Sequence, residues 1–176
     1  VDTNYTALWW DPAESGWGIN LNHQGNIVFA TLFTYADDGS PMWLVMSRGD
    51  RQADGSYSGA LHRTTGPPFN ARPWGSVSAV EVGTMRLAFS GPDNATLTYS
   101  VGGRPVAKQI TRQVFKAPPE CSWSHFDRSF ESNVQDLWWN PTESGWGLNL
   151  AHQDDTIFAT LFTYAANGQG LWLVMP

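Results

Sequence analysis

The chain has 176 residues, enough for one or two small domains, and carries a net charge of −6 with only 15% charged residues. Ten Lys and Arg that do not cluster exclude the basic patch a nucleic-acid partner needs. No apolar run approaches the roughly eighteen residues of a membrane-spanning helix, and abundant Gly, Ser, Thr, Asn and Trp favour turns and strands.

Along the chain, turn signals arrive at regular spacing. Thr6 to Trp10 reads as a strand that enters the turn Asp11-Pro12-Ala13-Glu14-Ser15, and Gly16 to His23 follows. Gln24-Gly25-Asn26 turns into Ile27 to Ala36, and Asp37-Asp38-Gly39-Ser40 turns into Pro41 to Arg48. Asp or Asn beside Gly supplies the positive φ of a tight hairpin. Tyr57 to Arg63 precedes a long loop over residues 64–76, and Glu81 to Ser90, Ala95 to Val101 and Pro105 to Phe115 complete eight strands. No segment keeps a capped 3.6-residue period, so no helix is expected before Pro118.

Alternation assigns the faces. Trp17, Ile19 and Leu21 share one face of the second strand, and Met85, Leu87 and Phe89 share one in a later strand. The third strand is apolar on both sides: Phe29, Phe33 and Tyr35 lie opposite Val28, Ala30 and Leu32. Such a strand needs a cover outside its own sheet. Eight consecutive antiparallel strands predict an up-and-down β-barrel, with a two-sheet β-sandwich as the alternative.

Residues 8–46 then occur twice. They return at Leu137 to Met175, 129 residues on and without a gap, with 26 of 39 positions identical. Repetition fixes the unit of folding. Residues 1–117 read as a complete barrel module, 118–135 as a linker, and 136–176 as a partial second module of four strands. Pro118 and Pro119 mark the exit, since proline cannot join a ladder. The linker is polar with Trp123, Phe126 and Phe130 interspersed, fit to cross a barrel end or form a short helix.

The motif LWW-x-P-x-ESGWG, followed by FATLFTY and WLVM, resembles a tryptophan-rich repeat family of secreted bacterial proteins. The likeness covers the first module and the second to its fourth strand. It implies export from a bacterial cell, an extracellular or cell-surface location and modular repetition, and it lends no catalytic residues. A chain opening at Val1 fits removal of a leader. The strand order also looks like avidin-type and lipocalin-type barrels, a likeness of fold alone.

Several residues are candidates for function. Glu14, Ser15, Glu143 and Ser144 recur in the corner, where a carboxylate can pin turn amides or serve as a general base. Glycoside hydrolysis wants two facing carboxylates, and Asp11, the possible partner of Glu14, is replaced by Asn140 in the second copy. His23 and His152 recur at strand ends, and Ser15, His23 and Glu14 lie near one hairpin in sequence. No G-x-S-x-G motif accompanies them, so no residue is assigned a catalytic role. Four scattered His and one Cys offer no metal-ligand spacing, and no cofactor is indicated. Adjacent Trp9 and Trp10 must point to opposite faces, so one looks outward, as for Trp138 and Trp139. Together with Trp17 and Trp146 these indoles are candidates for stacking on sugar rings or anchoring an interface. Lys108 and Arg112 share a face with Ile110, either inside the barrel or snorkelling at its surface.

The half module leaves an edge at Leu171, Trp172, Leu173, Val174 and Met175, whose main-chain groups need a partner strand. The lone Cys121 can pair only with a thiol outside its own chain. The expected function is non-catalytic extracellular binding or assembly, with another protein chain or a polysaccharide as partner and a fibre as one outcome of repeated strand addition. A secreted hydrolase using Glu14 or Glu143 of the corner with a nearby His, and a small-ligand carrier with a site inside the barrel, are the two alternatives.

Overall fold

The computed structural model describes residues 3–117 and 133–176. Among these the regular structure is entirely β. The strands are β1 (Ala7–Trp10), β2 (Gly18–Gln24), β3 (Ile27–Tyr35), β4 (Pro41–Arg51), β5 (Tyr57–Thr65), β6 (Ser78–Phe89), β7 (Asn94–Val101), β8 (Arg104–Arg112), β9 (Asp136–Trp138), β10 (Gly147–Gln153), β11 (Thr156–Tyr164) and β12 (Gly170–Met175). Strands β1 to β8 form a closed barrel in sequence order, and β9 to β12 form a separate four-stranded sheet. Closure comes from β1 pairing antiparallel with β8, Trp9 opposite Arg112 and Trp10 opposite Thr111. The sandwich alternative is therefore set aside. Cys121, Trp123, Phe126 and Phe130 lie outside the described residues.

The barrel interior is filled by the alternate residues that face inward. Trp9, Ile19, Val28, Leu32, Leu44, Met46, Leu61 and Leu97 are each fully buried there. Burial of a large apolar side chain contributes about 1.5–3 kcal/mol, so this one cluster carries most of the module's stability. Every residue of the cluster comes from the first 117 positions. At one end Tyr5 stacks on Phe89 with 3.6 Å between centroids, and the Trp9 indole N–H donates to Tyr5 O at 3.0 Å.

The second copy repeats the first, pair by pair. Gly18 faces Phe33 and Ile19 faces Leu32 in the barrel, while Gly147 faces Phe162 and Leu148 faces Leu161 in the sheet. Leu32 opposite Leu44 recurs as Leu161 opposite Leu173. A slip of one residue would exchange the faces, so the shared pattern fixes the register. The structural repeat also begins ahead of the identical stretch. The amides of Tyr5 and Val134 each donate to the Nδ1 of His23 or His152, at 3.2 and 3.0 Å, and each Nε2 meets a turn carbonyl at 2.9 Å. Both histidines thus fasten the incoming chain to the β2–β3 or β10–β11 turn.

Candidate functional site

The outer face of β3 and β4 meets the same face of β11 and β12. Alternation sends Phe33, Tyr35, Trp43 and Val45 outward from the barrel, opposite the inward Leu32 and Leu44. Phe33 and Trp43 are buried with Phe162, Tyr164 and Ala151 in a second apolar cluster, joined by Trp172. This is the cover that a strand apolar on both faces demands.

The contacts across this boundary come in reciprocal pairs. The Trp43 indole N–H donates to Thr163 O at 2.9 Å, and the Trp172 indole N–H donates to Thr34 O at 2.8 Å. Phe33 lies 5.2 Å from Trp172, and Phe162 lies 5.6 Å from Trp43. Tyr35 lies 5.4 Å from Trp172, and Tyr164 lies 5.7 Å from Trp43. Phe33 meets its own counterpart, Phe162, at 6.2 Å. A residue that faces its own equivalent sits on a two-fold axis. The two copies are related by a local two-fold rotation.

Two features are one-sided. The loop between β5 and β6 folds over the second copy's corner: Trp74 donates to Ser144 O at 2.9 Å, and the Phe69 amide donates to Tyr164 O at 2.9 Å. Gly66 and Gly168 join at 3.1 Å, and Val77 lies directly against Gly145. Likewise the barrel's exit binds Gln153, whose Oε1 accepts from the amides of Phe115 and Lys116 and whose Nε2 donates to Gln113 O. Among the described residues the equivalent positions in the barrel lack such covers. Tyr35 is 49% exposed where Tyr164 is fully buried, and Gln24 is exposed where Gln153 is buried.

No family of known proteins, curated protein or solved structure matches this chain.

The corner carboxylates differ from expectation. Glu14 Oε2 accepts from the Trp17 indole at 3.1 Å, and both its oxygens accept from Lys108 Nζ at 2.7 and 2.6 Å. The corner's main-chain amides go instead to Asp11 and Asn140, which accept from Ala13 and Thr142. The shorter Asx side chain reaches an amide two residues on, whereas Glu extends past it. The Lys108 ammonium holds the Glu14 carboxyl below its ordinary value, and Glu14 in turn raises Lys108. Glu143 repeats the indole bond, from Trp146 at 3.2 Å. Ser15 and Ser144 are exposed. Ser15 and Glu14 stand at the start of β2 and His23 at its far end, so the three do not form a triad. Arg112 lies 5.2 Å over the Trp9 ring and donates to Thr6 O and Asn4 O, closing the barrel mouth. Among the described residues no three of His, Cys, Asp and Glu converge as metal ligands, and no helix is long and apolar enough to cross a membrane.

The six tryptophans singled out from the sequence fall into three groups. Trp9 is inside the barrel; Trp10, Trp17 and Trp146 are half-buried; Trp138 and Trp139 are exposed at 51% and 58%. Trp138 is the counterpart of the buried Trp9, and it keeps the same indole bond, to Val134 O at 3.0 Å. Leu173 and Met175 are likewise 51% and 58% exposed, although Leu44 and Met46 have no exposure at all. The face that lines the barrel in the first copy is therefore open in the second. Leu161 is half-buried where Leu32 is fully buried, for the same reason, while Phe33 and Phe162 match. Among the described residues β12 and β9 each pair on one side only.

Proposed function

We propose that the chain is a non-catalytic assembly module of an exported, tryptophan-rich repeat protein, in which a closed barrel carries an open half-barrel that receives strands from a further polypeptide segment. The observation that supports this most directly is the exposure of Trp138, Leu173 and Met175 on a face whose equivalents form a sealed core. A four-stranded sheet with one bare apolar face and two free edges is unstable in water unless covered. Strand addition satisfies both needs at once, through ladder hydrogen bonds at β12 and side-chain burial behind it. The filled barrel interior and the consumed corner carboxylate weigh against carrier and hydrolase readings.

The test is the size of the purified full chain in solution, with and without reductant, joined to hydrogen exchange along β12. Assembly with slow exchange at Leu171 to Met175 is expected. A monomer at all concentrations, exchanging freely there, overturns the reading. A second reading, polysaccharide binding, draws on the adjacent exposed rings of Trp138 and Trp139. Quenching of their fluorescence by soluble glucans, with no change in mass, would favour it.

A further inference from the structure

We propose that the outer face of β3 and β4, centred on Phe33 and Trp43, is a self-recognition surface on which two whole barrels dock about a two-fold axis. This goes beyond the assembly reading, which concerns the open face and edge of β9 to β12, by assigning a second copy of the barrel to the outer face, and the covalent tandem is one instance of that docking.

The argument begins with the reciprocal contacts. Both sides of the boundary use the same four residue types at equivalent positions: Phe33 and Phe162, Thr34 and Thr163, Tyr35 and Tyr164, Trp43 and Trp172. An interface built from identical patches on both sides is isologous, and it closes at two members. Nothing in these contacts needs residues peculiar to the second copy. Two barrels placed by the same rotation would therefore reproduce both indole-to-carbonyl bonds and the aromatic pairs.

Whole barrels would also make contacts that the tandem makes once only. The β5–β6 loop of each barrel would fold over the other's Glu14 to Gly18 corner and Tyr35, as Trp74 and Phe69 now do at Ser144 and Tyr164. The exit segment of each would bind the other's Gln24, as it now binds Gln153. The exposure of Tyr35 and Gln24, and a Gly16 that meets only the Tyr35 ring where Gly145 meets Val77, mark the two places where this second set belongs. They are two independent signs of one missing occupant.

The test uses residues 1–117 alone, which contain the entire barrel cluster and close the sheet without help from the second copy. The fragment is expected to run at twice its chain mass by light scattering, and Trp43→Arg is expected to return it to a folded monomer. Strand addition at β12 cannot produce this dimer, because the fragment lacks β9 to β12, so the outcome is separate from that of the assembly test. A fragment that is folded and monomeric at every concentration overturns the proposal. Should the fragment not fold, a fusion answers instead: residues 1–132 followed by a second copy of residues 4–117. Nitration of Tyr35 by tetranitromethane, mapped by mass spectrometry, is expected to fall in the fusion relative to the natural chain. Unchanged nitration, or a fusion that does not fold, overturns it.

Discussion

Replacing Trp43 by Ala should release the second copy and leave the barrel standing. The Trp43 side chain belongs to a barrel strand but points away from the barrel core. It is 5% exposed, and its indole lies near Phe162 and Tyr164 and donates to the carbonyl of Thr163, all in the second copy. Truncating a buried Trp costs about 3–5 kcal/mol. Of this, the lost hydrogen bond accounts for about 1 kcal/mol and each aromatic pair for about 0.5–1.5 kcal/mol. A lone four-stranded sheet is marginal, so a loss of this size rivals the whole docking free energy. Segment-resolved hydrogen exchange is the assay. Peptides from residues 133–176 should lose protection by orders of magnitude, while β1 to β8 keep theirs. Trp43→Phe should fall between, since the ring contacts survive and the Thr163 carbonyl alone loses its donor, at about 1–3 kcal/mol. Equal loss of protection in both parts would show that they unfold as one unit and would refute the division drawn here.

Further tests address single features. Gly16 and Gly145 both hold φ near +100, so Ala strains each backbone alike, but only Gly145 faces Val77. Gly145→Ala should therefore lower stability in a urea melt by more than Gly16→Ala, and equal losses would deny the loop its grip on the second corner. The Lys108 ion pair lowers Glu14 from 4.5 and raises Lys108 from 10.5. The stabilising contribution of Glu14 is present above about 4.5 and lost as pH falls through its depressed value. That of Lys108 is present below about 10.5 and lost as pH rises through its elevated value. The Trp17 indole N–H resonance should hence stay fixed between pH 5 and 10 and shift only in acid or strong base; a midpoint near neutrality would sink this. Thr160 is 1% exposed and its hydroxyl has no partner among the described residues. Thr160→Val should leave stability unchanged or raise it by up to about 1 kcal/mol, and a clear loss in thermal melts would mean the hydroxyl is satisfied.

Much of the fold is legible because strands with a buried face announce it by alternation. Ile19 and Leu21 against Asn20 and Asn22, and the gapless offset of 129, determine register in both copies. The doubled apolar character of β3 likewise reveals that Phe33 needs an outside cover. What the pattern does not reveal is that the cover is the repeat's own counterpart, because alternation reports which way a side chain points and not what it meets. The pairing of Glu14 with Lys108 is hidden for a similar reason: 94 residues separate them, and barrel closure alone brings β8 beside the β1–β2 corner. Strand ends were less legible than strands. β6 begins at Ser78 and not Glu81, since Ser78, Ala79 and Val80 pair with the end of β5 through main-chain groups that any side chain allows.

The symmetry of the aromatic boundary bears on how the molecule responds to dilution. Two barrels that dock as separate chains obey a concentration-dependent equilibrium and come apart when scarce. Here both halves of the same contact hang on one backbone, joined through residues 118–132, so each meets the other at an effective concentration set by that tether. A contact of modest intrinsic affinity is then saturated however few molecules are present.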